Sequence, residues 1–211
     1  MTRALRILVL LLALAAGACS LPKNEAILPT IHDLGPARAY AVSNPAIAAT
    51  IALPQVTAPA WLDDSVIVYR LAYEDASRQH AYNTSRWAAA PAELLTERLR
   101  SRFGAVAKGA VSPLDSARSD YTLRVELRDF SQAFDAPGSS QVTVRARASL
   151  IATAERALVT QREFEVRRPA APNADGAVKA LTEATESFLE ELVKWTVENA
   201  KGATGTGDGK R

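Results

Sequence analysis

Cysteine and histidine are scarce in this sequence, whose 211 residues include one cysteine and two histidines. A lone cysteine excludes a disulfide framework. The spacings CxxC, HxxxH and HExxH are absent, so the sequence predicts neither a metal site nor a cofactor. His32 falls in a stretch that we predict to be an irregular tether and His80 in a predicted polar loop, and no nucleophile motif surrounds either residue. We therefore interpret both as solvated surface histidines and predict that the protein is not an enzyme.

The sequence also lacks an apolar run long enough for a permanent transmembrane helix. Residues 7–16 are apolar, but a helix needs roughly 20 such residues to cross the hydrocarbon core of a bilayer. Arg3 and Arg6 precede this run, and small residues follow it. This order of charged, apolar and small residues is typical of an export signal, which we predict over residues 1–18.

The single cysteine follows Ala16, Gly17 and Ala18 directly. Small residues before a cysteine resemble a lipobox, in which the thiol is acylated and becomes the new N-terminus, although Ala16 stands where leucine is usual. Acyl chains contribute about 0.8 kcal/mol per buried methylene, so several chains on Cys19 would anchor the protein permanently. Ser20, in place of aspartate, predicts the periplasmic face of the outer membrane. The alternative is an ordinary secretory signal cleaved near Ala18, with an incidental cysteine.

The mature chain has no excess of either charge. Of the 25 basic residues, Arg3 and Arg6 belong to the signal, which leaves 23 against 23 acidic residues. A neutral chain offers no electrostatic footprint for a nucleic-acid partner, so we predict none. We expect a lipidated tether over residues 19–38, one domain over 39–200, and a disordered glycine-rich tail over 201–211.

Hydrophobic periodicity predicts a single α/β domain. Short apolar runs rich in valine and isoleucine indicate buried strands, and strict alternation of apolar and polar residues indicates strands with one buried face. We predict a mixed or antiparallel sheet of about five strands, packed with at least two helices. The last three predicted strands form an antiparallel meander, with a turn at residues 137–140. The predicted strands are residues 46–53, 65–71, 121–129, 141–152 and 158–166.

Two stretches have the apolar spacing of helices. Residues 91–103 place Leu95, Leu99 and Phe103 on one face, and we predict that Arg98 and Arg102 point away from it. Residues 175–199 have an apolar stripe, and we predict Glu186 on the opposite, solvent-facing side. The stripe consists of Val178, Leu181, Thr185, Phe188, Leu192 and Trp195.

Arginines alternate with glutamates on the outward positions of the meander. A surface of this kind could attract lipid headgroups or a partner, but the interleaved charges favour a solvated face with cross-strand ion pairs. Trp61 and Trp87 precede predicted elements as loop tryptophans. Such residues serve either as binding anchors or as caps at the edge of the core.

Several segments in order resemble the ABC-type transport auxiliary lipoprotein family, which includes the paraquat-inducible lipoproteins. The resemblance spans residues 34–198 and is strengthened by the preceding lipobox. The segments are PQVTAPAWLD at 54–63, IVYR at 67–70, NTSRW at 83–87, DYTL at 120–123 and DFSQ at 129–132.

The resemblance implies an α/β fold and a non-enzymatic periplasmic component of ABC transporters with MCE-type substrate-binding proteins, which move lipids between the inner and outer membranes. The implied partners are an MCE-type protein, the transporter subunits and the membrane, with a homo-oligomer left open. We place a candidate interface at Trp61, Tyr69, Arg70 and Trp87. The competing hypothesis is an envelope-assembly or structural lipoprotein that binds another protein or peptidoglycan.

Overall fold

A computed structural model describes residues 28–37 and 45–200. The predicted signal peptide, the acylation site at Cys19 and the predicted tail lie outside these residues. The described chain contains eight strands in one sheet and three α-helices. The strands are β1 (Thr30–His32), β2 (Ile47–Ala52), β3 (Val66–Leu71), β4 (His80–Trp87), β5 (Ala107–Val111), β6 (Tyr121–Ala136), β7 (Ser139–Ala152) and β8 (Ala157–Ala170). The helices are α1 (Ala72–Asp75), α2 (Pro91–Val106) and α3 (Ala174–Asn199).

The predicted α/β class is confirmed, and the sheet is mixed, with eight strands instead of about five. Strand β6 organises it. Strand β7 pairs antiparallel with β6 along its length, and β8 pairs antiparallel with β7, as the meander prediction required. The other edge of β6 is shared by two parallel neighbours, β2 near its start and β3 near its end. Strand β5 lies beside β2, while β4 and β1 extend the sheet beyond β3.

Strand β6 continues beyond the predicted end at position 129 because a bulge changes its alternation. Leu127 pairs with Ala146 and Asp129 pairs with Arg145, so Arg128 is the extra residue. Phe130 then points to the same buried face as Leu127, although three positions separate them. A strict period of two breaks at this point, and a sequence pattern alone ends the strand there.

Three strands were not predicted. Strand β4 has a polar sequence, HAYNTSRW, in which only Ser85 and Trp87 are buried. Its first residue is His80, so the prediction of a polar loop there was wrong. His32 lies in β1, which pairs in parallel with β4, and not in an irregular tether. Strand β5, AKGAV, is short and lies at an edge of the sheet.

Helices α2 and α3 cover one face of the sheet, which we call the inner face. Helix α3 packs on β7 and β8, and α2 packs on β5 and against α3. The inward positions of β7 are completely buried beneath α3. The opposite, outer face of β6, β7 and β8 carries the alternating polar residues. None of the helices in the described ranges is both long and apolar enough to cross a membrane.

A buried ionic cluster joins the two long helices, contrary to the sequence-based expectation. Glu186 was predicted to face solvent, and Arg98 and Arg102 to point away from the core, but all three are buried. The Glu186 carboxylate lies 3.3 Å from Arg98 and 2.5 Å from Arg102. The prediction failed because the flanks of the two apolar stripes face each other across the helix pair. A helical wheel for one helix cannot show this.

Arg98 also connects the helices to the N-terminal segment. Its Nη2 donates hydrogen bonds to the carbonyl oxygens of Leu34, at 2.6 Å, and of Gly35, at 2.5 Å. Leu34 is itself 5% exposed and belongs to the core. The residues that follow β1 are therefore part of the folded domain.

We predict that Glu186→Ala destabilises the domain by about 3–5 kcal/mol, because it leaves the Arg98 and Arg102 guanidinium groups buried without this carboxylate. Urea unfolding followed by circular dichroism measures the change. Glu183→Ala, an exposed position on the same helix, is the matched control and should stay within about 0.5 kcal/mol of the wild type. Equal stability of the two variants would show that the cluster contributes little.

Candidate docking surfaces

Trp61 and Arg70 form a compact pair on the outer face. Trp61 lies in a single turn of 3-10 helix, Ala60–Leu62. Leu62 of this turn is buried in the core and fixes its position. The guanidinium carbon of Arg70 lies 5.3 Å from the centroid of the Trp61 ring, a cation-π geometry. Arg70 also makes long contacts, of 3.5 and 3.4 Å, with the carbonyl oxygens of Ala76 and Ser77. The pair is thus held in place while remaining partly exposed.

Trp87, another predicted interface residue, is 2% exposed. Its ring packs edge-on against Phe130, with 5.6 Å between ring centroids. Its backbone amide donates to the carbonyl oxygen of Ser65 at 2.7 Å. The structure therefore places Trp87 in the core, where its side chain contributes to packing and offers a partner almost no surface.

Tyr69 lies on the opposite face from its neighbour Arg70, because successive residues of a strand point to opposite faces. On the inner face it belongs to an aromatic cluster, which we define as Tyr69, His80, Tyr82 and Phe134. Ring centroids are 5.1 Å apart for Tyr69 and His80, 4.7 Å for Tyr69 and Tyr82, and 5.8 Å for Tyr69 and Phe134. The sequence suggested one interface for Tyr69 and Arg70, but the strand separates them.

A hydrogen-bonded network supports the aromatic cluster. The Tyr82 hydroxyl donates to Oε1 of the fully buried Gln132 at 2.6 Å. Gln132 Nε2 donates in turn to Ser140 Oγ at 2.7 Å and to the carbonyl oxygen of Ala171 at 2.9 Å. Partial burial, with a smaller effect of Tyr69, raises the pKa of Tyr82 to about 12. Because each polar atom of the Gln132 amide has a partner, the cluster rests on a satisfied and rigid base.

The outer face of the meander carries cross-strand ion pairs, as predicted from its alternating charges. Arg147 Nη2 lies 2.7 Å from Glu126, and Arg145 lies 3.7 Å from Asp129 and 3.9 Å from Glu165. The hydrogen bond from Arg147 holds the pKa of Glu126 below its ordinary value. Shallow grooves separate this charged surface from residues 54–59. The neighbouring opposite charges leave the surface without a strong field of one sign.

Within residues 28–37 and 45–200, no group of three or more histidine, cysteine, aspartate or glutamate side chains is placed to hold a metal ion. His80 stacks on Tyr69, and Nε2 of His32 lies 4.0 Å from Asp175. Both contacts are with groups other than a serine or cysteine nucleophile. The described surface carries a partly exposed cation-π pair, an aromatic cluster and a charged sheet face.

The described residues form a mixed α/β domain built on one eight-stranded sheet. The sequence matches the family described as ABC-type transport auxiliary lipoprotein component over residues 30–193, and the chain belongs to this family. The resemblance inferred from the sequence is thereby confirmed. The family is a lipoprotein component associated with ABC transporters, which supports a lipid-anchored protein of the cell envelope.

Solved structures share this fold at low sequence identity. Protein XCC0632 from Xanthomonas campestris is 20% identical, with a TM-score of 0.71 over 81% of this chain and 96% of its own. A second crystal structure, of an uncharacterized protein, is 18% identical, with a TM-score of 0.61 over 80% of this chain and 98% of its own. No protein of curated function gives a significant match. At these identities the structural likeness establishes the fold.

We predict that Tyr82→Phe lowers the unfolding free energy by about 1–3 kcal/mol at neutral pH, because Gln132 Oε1 loses its donor. The folded state raises the pKa of Tyr82 from 10.0 to about 12. The stabilisation from this group is therefore complete below pH 10 and is lost as the pH rises towards 12. Urea unfolding of the wild type and the variant between about pH 8 and pH 12 measures the difference in their unfolding free energies. The contributions of the other titrating groups are common to both proteins and cancel. A difference that stays constant across this range would contradict the assignment.

Proposed function

We propose that the chain is an outer-membrane lipoprotein, acylated on Cys19, and a non-enzymatic auxiliary component of an MCE-type ABC transporter that moves lipids between the inner and outer membranes. The observation that carries this proposal is the family match over residues 30–193, following a lipobox-like sequence at residues 16–19. Ser20 supports sorting to the outer membrane. A tethered binding domain suits an auxiliary role because it supplies contact area instead of reaction chemistry.

The proposed domain organisation has a signal peptide at residues 1–18, a tail at residues 201–211 and a tether shorter than the one expected from the sequence. Strand β1 pairs with β4, and Leu34 is buried. Residues up to position 38 were expected to form a lipidated tether, with the domain beginning at 39. We propose that the tether consists of the residues between Cys19 and Leu28 and that the domain spans residues 28–200.

Trp61 and Arg70 are the proposed docking site for a transporter subunit. Tryptophan and arginine are over-represented among the residues that dominate protein–protein binding energies. Here the Trp61 ring and the Arg70 contacts with residues 76 and 77 limit the freedom of the guanidinium before a partner arrives. Restricting a side chain in advance lowers the entropy lost on binding.

Acylation is tested by Cys19→Ala. We expect the wild-type protein to fractionate with membranes and to show an acylated N-terminal Cys19 by mass spectrometry. The variant should lose both properties, because without the thiol there is no anchor. Membrane association and processing that are unchanged in the variant would refute the lipoprotein assignment.

Docking is tested by affinity purification of the lipidated protein from membranes. We expect MCE-type and permease subunits to be recovered with the wild type and to fall about tenfold with Arg70→Glu, equivalent to a loss of about 1.4 kcal/mol. Arg118→Glu makes the same charge change at another exposed position and should leave recovery unchanged. An equal loss of recovered subunits with both variants would refute the proposed docking site at Trp61 and Arg70. Recovery of other envelope proteins or peptidoglycan, without transporter subunits, would favour an envelope-assembly role.

A further inference from the structure

The direction of β1 shows at which end of the sheet the segment that follows Cys19 joins the domain. Strand β1 pairs in parallel with β4, with Thr30 opposite Ser85 and His32 opposite Trp87. Both strands therefore start towards the same end of the sheet, and β4 starts at His80. The chain therefore enters β1 from this end, where the aromatic cluster lies. We call this the tether-proximal end.

The tether-proximal end exposes apolar and aromatic surface. Leu28 is 85% exposed and Tyr73 in α1 is 42% exposed, while Tyr69, His80 and Tyr82 are each partly exposed. Tyrosine and histidine carry an apolar ring with a polar edge, a combination suited to the boundary between hydrocarbon and water. Exposed apolar residues also occur elsewhere, as at Leu114 and Leu158, so exposure alone does not identify a membrane-facing end.

The length of the tether distinguishes the two ends. Roughly nine residue steps separate Cys19 from Leu28, and a fully extended chain spans at most about 3.3–3.6 Å per step, which gives about 30 Å. The aromatic cluster lies level with Gln132, because Tyr69 pairs with this residue. The opposite end, where Tyr121 pairs with Ala152, is roughly 36 Å away along β6 at about 3.3 Å per residue. Leu28 comes two residues before Thr30, which lies opposite Ser85, so its distance from the opposite end is no greater than that of the cluster. A tether of this length could reach the opposite end only when almost fully extended, whereas a slack tether reaches the tether-proximal end.

We propose that the tether-proximal end rests on the phospholipid headgroup region of the membrane that holds the Cys19 acyl chains. This inference depends on the proposed acylation. Tyr69, Tyr73 and Tyr82 supply the contact, and Glu74, Asp75 and Arg78 beside them carry charges of both signs. The contact therefore relies on the rings and depends little on anionic lipid or salt. Arg70 projects from the face of the sheet opposite to Tyr69, and its contacts with the carbonyl oxygens of residues 76 and 77 place it beside this end.

The orientation is measured with the acylated full-length protein in phosphatidylcholine vesicles. Since Cys19 is the only cysteine and its thiol is consumed by acylation, Gln79→Cys and Ala154→Cys each introduce one free thiol, at the tether-proximal and opposite ends. Both positions are exposed. A fluorophore on each is quenched by nitroxide groups attached to the lipid headgroups. We expect at least threefold stronger quenching at position 79. Equal quenching, or stronger quenching at position 154, would overturn the proposal.

The role of the rings is tested by adding Tyr73→Ser to the position-79 reporter. We expect quenching to fall at least twofold, while the control Leu114→Ser, an exposed apolar residue elsewhere on the surface, leaves it unchanged. Quenching should be the same in low and high salt, and a requirement for anionic lipid would contradict the inference. Mass spectrometry separates the two failures: a non-acylated Cys19 overturns both proposals, whereas acylated protein with equal quenching at both reporters overturns the orientation alone.

Discussion

The pairing of β6 is the constraint on which the rest of the structure depends. Its full length is occupied by β7 on one side, while β2 and β3 divide the other side. Between them, Thr57 fills the gap by accepting a hydrogen bond from Leu127 at 2.8 Å and donating one to Val125 at 3.2 Å. The positions of the Trp61–Arg70 pair and of the aromatic cluster follow from this arrangement. The parallel pairing of β3 sets Tyr69 beside Gln132 and Arg70 beside Ala133, which sends the two side chains to opposite faces.

The parts of the fold that follow one-dimensional patterns could be predicted from the sequence. The meander was predicted because Leu123, Val125 and Leu127 alternate with polar residues, as do the inward residues of β7. Helix α3 was predicted from its apolar stripe. Strands β1, β4 and β5 could not be found in this way, because they are short or polar. Their pairing partners, rather than their own composition, stabilise them as strands.

Buried charge marks the second limit of sequence reasoning. A charged residue beside an apolar stripe reads as solvent-facing when one helix is considered alone, yet Glu186 meets Arg98 and Arg102 where α2 and α3 pack together. Arg98 also donates hydrogen bonds to the carbonyl oxygens of Leu34 and Gly35, which follow β1. The cluster therefore links three parts of the chain that are distant in sequence. Breaking such a cluster is costly because each remaining charge stays desolvated.

The candidate site shows the same division. The sequence singled out Trp61, Tyr69, Arg70 and Trp87, and of these only Trp61 and Arg70 form a common, partly exposed pair. Trp87 supports the core, and Tyr69 joins His80 and Tyr82, neither of which was predicted to belong to an interface. A tryptophan in a sequence signals a large apolar contact but not whether the contact lies inside or outside the domain. The surroundings of Tyr69 depend likewise on the β3–β4 pairing, which places it against His80. The separation of the two proposed docking features on the two faces of one strand is therefore a property of the sheet.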